Sequence, residues 1–493
     1  MAIVGGPLSG KSTLARTLVA SLILTSTPLE SQFYILDFGG GSFTGMQRLP
    51  HIAGVSSRTE EESVRRTVAE VESILNEREV FFRRNGIDSM DTYRMRRAQG
   101  LVDDGYGDVY LLIDGWSTLR SEFEALEPRI QAITARGLGY GMHVVLTANR
   151  WMEIRTSIKD LIQTRLELRL GDPTDSEIGR KAAENVPSNL PGRALNGKGL
   201  HAMTALPRID GTIDGAGLVN GVDDLVSRVS AAWTGPAGPK LRLLPERIGL
   251  EEVREAAGGE DRRLLLGVDE ARLAPFGVDL AREAHLYLYG DSQMGKSSFL
   301  RSVVQEITRL YAPEQAKIFA VDYRRSLLGQ IPEAYLGAYL TNHEMADGGL
   351  GELASFFGGR IPGPDVTADQ LRDRSWWKGA EGFILVDDYD LVATSAGNPM
   401  AVLQPLLAQS GDLGLHVILT RRTGGASRAA YDPIIQRFTD LGVTGILLGG
   451  NPEEGQLIGR AKPVKSVPGR AQIVSRDQGL FAGQLVLPDA VQG

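Results

Sequence analysis

One eight-residue pattern occurs twice in this chain, at Gly5-Gly6-Pro7-Leu8-Ser9-Gly10-Lys11-Ser12 and at Gly290-Asp291-Ser292-Gln293-Met294-Gly295-Lys296-Ser297. Both copies satisfy G-x-x-x-x-G-K-[ST], the glycine-rich phosphate-binding loop. A chance match in a loop lacks the flanking pattern that both copies have. Each follows an apolar run that reads as a buried strand, Ala2-Ile3-Val4 or His285-Leu286-Tyr287-Leu288-Tyr289. Each precedes residues with helical apolar spacing, from Thr13 to Ala20 and from Ser298 to Ile307. In a strand–loop–helix unit the glycines let backbone amides turn inward around a phosphate, with a helix N-terminus behind them. Lys11 and Lys296 are then placed to reach the outer phosphates, and the hydroxyls of Ser12 and Ser297 to reach Mg²⁺; Thr13 and Ser298 complete the two cradles.

The duplication runs the length of the chain. Gln32 to Asp37 and Ala316 to Asp322 are apolar strands ending in Asp, and Gly5 to Gly290 and Asp37 to Asp322 share one spacing, 285 residues. The strand ending at Asp114 matches the one ending at Asp387, and Gly141-Met142-His143-Val144-Val145-Leu146-Thr147 matches Gly414-Leu415-His416-Val417-Ile418-Leu419-Thr420, both at a spacing of 273. Pro191-Gly192-Arg193 recurs as Pro468-Gly469-Arg470. A tandem repeat of one domain of roughly 220–230 residues follows, a normal single-domain size. We expect an α/β architecture of two P-loop domains, each a mostly parallel sheet flanked by helices. The expected spans are 1–234 and 261–493, with a linker at 235–260 signalled by Gly235-Pro236-Ala237-Gly238-Pro239 and holding a short helix over 250–257. Leu264 to Leu280 is expected to lead into the second P-loop strand. The first domain has no such leader, which suggests a chain whose N-terminal side has been removed.

The change of spacing locates the length differences. The first copy is longer between its second strand and its acidic strand, where Arg58 to Arg97 is rich in Glu and Arg, with Val64, Val68, Val71, Ile74 and Leu75 at helical spacing. A long amphipathic helix with a solvated charged face is the simplest reading; a partner-docking helix is the alternative. The second copy instead holds Gly348 to Gly351, Gly358-Gly359 and Pro362 to Pro364, which reads as a looser loop before Trp376-Trp377. Packing explains such a pair more simply than a binding platform does.

Composition excludes several classes. No apolar run approaches the ~20 residues of a membrane span, no basic leader precedes the first strand, and cysteine is absent, so neither disulfides nor thiolate metal sites exist. A net charge of −8 weighs against a duplex-DNA partner, which favours a basic face.

A P-loop binds nucleotide; hydrolysis asks for more. A second apolar strand should end in an Asp that holds Mg²⁺, usually followed by an acid that activates the attacking water. Asp114 and Asp387 take the first role. Gly115 follows Asp114, so the first base is missing, while Asp388 follows Asp387 and is one methylene shorter than the usual Glu. Past the next strand, Asn149 suits a γ-phosphate sensor, with Arg150 beside it; the second copy has Arg421-Arg422, either phosphate contacts or surface charges. Arg165, on the following strand, suits a finger into a neighbour's nucleotide, and its counterpart in sequence, Thr444, is not basic. Arg193 and Arg470 read as turn residues paired with carboxylates. His143 and His416 read as packed or hydrogen-bonded residues.

Together the two P-loops, the strands ending Leu36-Asp37-Phe38-Gly39-Gly40 and Val321-Asp322-Tyr323-Arg324, and His143-Val144-Val145-Leu146-Thr147-Ala148-Asn149-Arg150 resemble the FtsK/SpoIIIE class of RecA-like motors. Within it the chain is similar to the EccC ATPases of type VII (ESX) secretion systems, through Met1 to Thr13, Asp114-Gly115-Trp116 and Leu190 to Ala194. The resemblance implies ATP and Mg²⁺ as cofactors and identifies the chain with the second and third ATPase domains of a membrane-anchored subunit. It also implies a place at the inner face of the cell membrane, a hexamer in the full system and no nucleic acid. It further implies recognition, by the last domain, of a C-terminal signal on small WXG-type (EsxA/EsxB-like) helical-hairpin substrates. The degenerate acidic strands imply tight ATP binding with slow or absent hydrolysis. Three other readings compete. A DNA translocase of the same fold would need a basic channel and usually a C-terminal winged helix, for which the stretch after Leu487 leaves no room. A non-catalytic scaffold would use ATP as structural glue. A P-loop kinase would have no need of a second copy.

Overall fold

The computed structural model describes residues 1–489 and divides into two compact units, Met1–Arg242 and the remainder from Leu243. The first unit is built on eight strands: β1 (Ala2–Val4), β2 (Ser31–Asp37), β3 (Ile52–Ser57), β4 (Asp108–Asp114), β5 (Met142–Ala148), β6 (Arg165–Leu168), β7 (Arg193–Asn196) and β8 (His201–Met203), in the order β3-β2-β4-β5-β1-β6-β7-β8. The strands from β3 to β6 are parallel, and β7 and β8 close the edge antiparallel. In the second unit β9 (Leu264–Asp269), β10 (Pro275–Val278), β11 (His285–Tyr289), β12 (Ala316–Val321), β13 (Leu336–Leu340), β14 (Glu381–Val386), β15 (Leu415–Arg421), β16 (Thr444–Leu448), β17 (Arg470–Ser475) and β18 (Gly479–Leu485) make one sheet. Its order is β10-β9-β18-β17-β16-β11-β15-β14-β12-β13. The parallel run β13-β12-β14-β15-β11-β16 repeats β3-β2-β4-β5-β1-β6 strand for strand, so the sequence repeat is a repeat of topology. Both sheets are RecA-like P-loop sheets, with the P-loop strand inside and helices on both faces. The 264–280 stretch supplies β9 and β10, antiparallel additions to the second sheet.

Alternation along the strands sorts side chains between two apolar layers. Phe33 and Ile35 join the layer under the helix Lys11–Ile23, while Tyr34 and Leu36 face the layer of the helices Glu61–Asn85 and Glu127–Gly137. The long helix forms as its periodicity predicts and ends at Gly86, in left-handed backbone at φ 58°. Its polar face is not wholly solvated. Arg66, Glu70 and Arg78 are buried, and Arg78 donates to Asp104 and to the carbonyls of Tyr106, Gly107 and Tyr140.

The glycine-rich stretch of the second copy is a helix, His343–Gly358, where a loop is expected from sequence. Ala346, Leu350, Leu353 and Phe357 form a buried stripe, and the Asn342 side chain caps the N-terminus by accepting from Met345 N–H. That burial outweighs a propensity cost of about 1 kcal/mol per glycine. Trp376 and Trp377 are half-buried packing residues: their indole N–H groups donate to Arg360 O and Asp412 O, and the Arg360 guanidinium lies 3.9 Å from the Trp377 ring centroid.

Residues 235–260 divide between the units. Gly238 and Leu241 donate backbone N–H to Pro50 and Ala53 carbonyls, while Leu244, Ile248, Leu250 and Val253 are buried in the second unit beside Leu265 and Val268. The short helix Leu250–Ala257 forms as expected. Among the described residues no helix is long and apolar enough to cross a membrane.

Candidate nucleotide sites

Each P-loop caps its helix with a left-handed glycine, Gly10 at φ 102° and Gly295 at φ 110°, a backbone that side chains with a Cβ resist. Leu8 and Gln293, at the same loop position, share a left-handed φ of 59° and 66°. Lys11 Nζ donates to Gly6 O at 2.9 Å, and Lys296 Nζ donates to the matching carbonyl, Asp291 O, at 3.2 Å. Burial lowers the Lys11 pKa, and the carboxylates of Asp114 and Glu153 act against that shift. Glu153, in a turn after β5, was not singled out from sequence; its carboxylate accepts the N–H of Asn149 at 3.0 Å.

The acidic strands end beside these loops. Thr147 Oγ1 donates to Asp114 Oδ1 at 2.6 Å and accepts Gly115 N–H at 2.9 Å; Thr420 Oγ1 donates to Asp387 Oδ1 at 2.7 Å and accepts Asp388 N–H at 3.1 Å. The residue after each aspartate turns left-handed, Gly115 at φ 103° and Asp388 at φ 48°. In the first site Asp114 Oδ2 is buried with no hydrogen-bond partner among the described residues, and a Cβ on Gly39 would lie 2.3 Å from it and 3.4 Å from Ser12 Oγ. In the second, Ser297 Oγ donates to Asp387 Oδ2 at 2.9 Å, with Ser326 Oγ on the same oxygen. An orphaned buried carboxylate oxygen beside one P-loop serine, and a carboxylate joined to the other, are donor sets that fit Mg²⁺. Ser12 with Asp114, and Ser297 with Asp387, would hold it.

Beyond this shared frame, and besides Ser326 standing where the first unit has Gly41, the sites differ at two paired positions. Where the first unit has Gly39 and Gly115, the second has Arg324 and Asp388. Asp388 Oδ1 lies 3.5 Å from Lys296 Nζ and its Oδ2 lies 3.2 Å from Arg324 Nε. Burial raises the Asp388 pKa, Lys296 lowers it and the neighbouring Asp387 raises it again.

The repeated Pro-Gly-Arg turn supports the loops from behind: Gly192 N–H donates to Ser9 O at 2.9 Å, and Gly469 N–H to Met294 O at 3.0 Å. A cavity of about 650 Å³ opens beside the first loop, lined by Gly10, Thr13, Gly192, Thr204, Leu206 and Leu218, and one of about 390 Å³ lies beside Asp291 and Met294 of the second. An apolar space next to a phosphate loop suits a nucleoside. Neither the turn nor the cavity was assigned to the site from sequence; the exact repetition of Pro-Gly-Arg was the available signal.

The remaining predicted residues are placed as follows. Asn149 sits one residue past β5, at the P-loop edge of the sheet. Arg165 opens β6, level with Ala2 at the opposite edge; it donates to Lys159 O at 3.0 Å and lies 3.5 Å from Glu177. Strand register puts Gly445 opposite Tyr287 as Arg165 stands opposite Ala2, so Gly445 rather than Thr444 is its structural counterpart. Arg421 lies 5.8 Å from the Tyr289 ring centroid, and Arg422 is 4.0 Å from Asp390. Arg193 Nε is buried without a hydrogen-bond partner among the described residues, whereas Arg470 donates to Leu244 O at 3.4 Å. His143 and His416 bond Asp108 and Glu381 and stack on Tyr110 and Phe383.

The FtsK/SpoIIIE family profile matches residues 1–210. The chain is 47% identical over 478 residues to the ESX secretion system protein EccC of Thermomonospora curvata, aligning 97% of itself with 36% of that protein. It is 36% identical over 494 residues to the ESX-1 secretion system protein EccCb1 of Mycolicibacterium smegmatis, across 97% of the chain and 82% of the relative. The solved structure of Thermomonospora curvata EccC (ATPases 2 and 3) in complex with a signal sequence peptide superposes with a TM-score of 0.84 at 46% identity, covering 99% of this chain and 88% of that one. With two RecA-like sheets, two P-loops and these relatives in hand, the chain belongs to the EccC family of FtsK/SpoIIIE-type ATPases of ESX secretion systems.

Proposed function

We propose that this chain is the pair of nucleotide-binding units of a type VII secretion motor, each holding Mg·ATP and turning it over slowly or not at all, with the second unit receiving the C-terminal signal of a small helical-hairpin substrate. The observation that carries the slow-turnover reading is the residue after each magnesium-holding aspartate. Gly115 offers no carboxylate, and both oxygens of Asp388 face the cations Lys296 and Arg324. Bound nucleotide then contributes mainly by stabilising the folded units through mass action. Family membership supports the secretion role, and the signal-peptide complex of the Thermomonospora relative supports the substrate class. On this reading the chain works at the inner face of the cell membrane, joined to a membrane-anchored remainder and assembled as a hexamer, without nucleic acid.

Turnover by the purified chain, with and without Asp388→Ala, tests the chemistry: hydrolysis stays slow in both, and brisk turnover by the first unit alone sinks the proposal. Co-purification with an EsxB-like substrate carrying or lacking its C-terminal tail tests the partner. Tail-dependent capture is expected, and salt-sensitive duplex-DNA binding in its place points to a translocase.

A further inference from the structure

We propose that the Arg324–Asp388 ion pair is a latch on the Lys296 ammonium, making the second site the weaker one for Mg·ATP, while the first site, with Gly39 and Gly115 at the matching positions, carries no latch and fills first. The inference rests on the nucleotide reading of the two P-loops.

The duplication supplies the comparison. The P-loop fold, the lysine-to-carbonyl contact, the threonine-braced aspartate and the left-handed residue after it are common to both units, so what differs stands out. Besides Ser326, which bonds Asp387 where the first unit has Gly41, it includes a coupled change of two positions: glycine with glycine in one unit, arginine with aspartate in the other. Arg324 follows β12 and Asp388 follows β14, neighbouring parallel strands, and the two side chains meet at 3.2 Å. Asp388 is buried, its backbone is fixed by the N–H bond to Thr420, and its other oxygen faces Lys296. A phosphate that claims Lys296 must displace a buried carboxylate that a second cation steadies. The first unit cannot build this arrangement: Gly115 has no carboxylate, and a side chain at Gly39 would strike Asp114 Oδ2. Asp388 is thereby a positioning residue for the P-loop lysine.

Equilibrium and stopped-flow binding of a fluorescent ATP analogue with Mg²⁺ to the full chain tests this, with Lys11→Ala silencing the first site. Asp388→Asn keeps a residue at ease in left-handed backbone and removes the charge. It is expected to tighten the second site by about tenfold, the scale of one partly buried ion pair, and to speed association. The double variant Arg324→Gly/Asp388→Gly, which copies the first unit, is expected to approach the affinity of the first site measured in a Lys296→Ala chain, and keeps the test decisive if Asp388→Asn is poorly folded. Unchanged or weaker binding in either variant overturns the latch while leaving nucleotide binding intact. Failure of the unsubstituted chain to bind the analogue at all overturns the nucleotide reading itself.

Discussion

The Thr147 hydroxyl donates to the Asp114 carboxylate at 2.6 Å, and one oxygen atom thereby fixes both the aspartate and, through Gly115 N–H at 2.9 Å, the turn that follows it. Thr420 does the same for Asp387 and Asp388. Valine has the shape of threonine without the hydroxyl, so Thr147→Val leaves a buried carboxylate oxygen and an amide short of a partner, while Thr420→Val takes one donor from Asp387 and leaves Asp388 N–H its bond to Asp387 Oδ1 at 3.1 Å. Each is expected to cost about 1–3 kcal/mol and to weaken Mg·ATP binding in its own unit, with serine restoring most of both. Thermal unfolding beside a magnesium–nucleotide titration reads the two effects. A valine variant that binds as tightly as threonine would show that the hydroxyl does not position the aspartate.

Gly39 faces the Asp114 carboxylate and the Ser12 hydroxyl of the first site. Its added Cβ would sit 2.3 Å from Asp114 Oδ2, and its backbone is not in the left-handed region, so alanine fits the turn but not the space. Gly39→Ala is expected to weaken Mg·ATP at the first site by tenfold or more, about 1.4 kcal/mol, with the secondary structure retained. Calorimetric titration in a Lys296→Ala chain is the direct measurement, and unaltered affinity would remove Asp114 from the metal site.

What the sequence disclosed, and what it hid, follows the range of the interactions involved. Strands and P-loops announce themselves because alternation and glycine spacing are local, and the repeat let each copy vouch for the other. The helix His343–Gly358 was hidden because glycine content is local while the burial of Leu350 and Phe357 is not. The buried charges of the long helix were hidden for the same reason: Arg78 needs Asp104, and Glu70 needs Arg242, 172 residues on. Thr147 stood in plain view inside a repeated strand, yet its role depends on how β4 and β5 pair in register. The Arg165 comparison went one residue astray on the same ground. Asp388 stands out in sequence as an acid after the strand-ending Asp387; that Arg324 lies across from it needs the neighbouring strand.

His285 gives the second unit a pH dependence with a definite sign. Val417 N–H donates to Nδ1 at 3.0 Å and Nε2–H donates to Leu407 O at 3.2 Å, so the neutral ring satisfies both contacts, and protonating Nδ1 would set N–H against N–H. Burial pushes the pKa from 6.5 down to about 3. The unfolded chain therefore takes up a proton below pH 6.5 that the folded one refuses until about pH 3. Stability from this group is whole above that upper value and falls through the window, by about 1.4 kcal/mol per pH unit. Urea unfolding of the full chain from about pH 7.5 to about pH 5 should show a shallower slope for His285→Gln than for the native residue; parallel slopes would remove His285 from the pH response.

The last described residue of the first unit, Arg242, reaches back to Glu70 at 2.6 Å, while Arg66 pairs with the same carboxylate and donates to Arg242 O at 3.0 Å. Beside this triad Lys240 Nζ donates to Ile52 O at 2.7 Å, and Leu241 packs where a Cβ on Gly54 would lie 3.0 Å from it. The segment leading out of the first unit is thus held by one buried carboxylate between two guanidinium groups. Glu70→Ala withdraws that carboxylate and is expected to cost about 3 kcal/mol or more, first by releasing residues 236–242 and then by loosening the helix Glu61–Asn85. Trypsin reads the first step, since Lys240 and Arg242 become cleavable and the chain falls into two unit-sized fragments. Glu70→Gln, which keeps an acceptor without the charge, should be cut at an intermediate rate. Equal resistance of all three forms would mean that the segment is held by its backbone bonds to Pro50 and Ala53 and by Lys240, without need of Glu70.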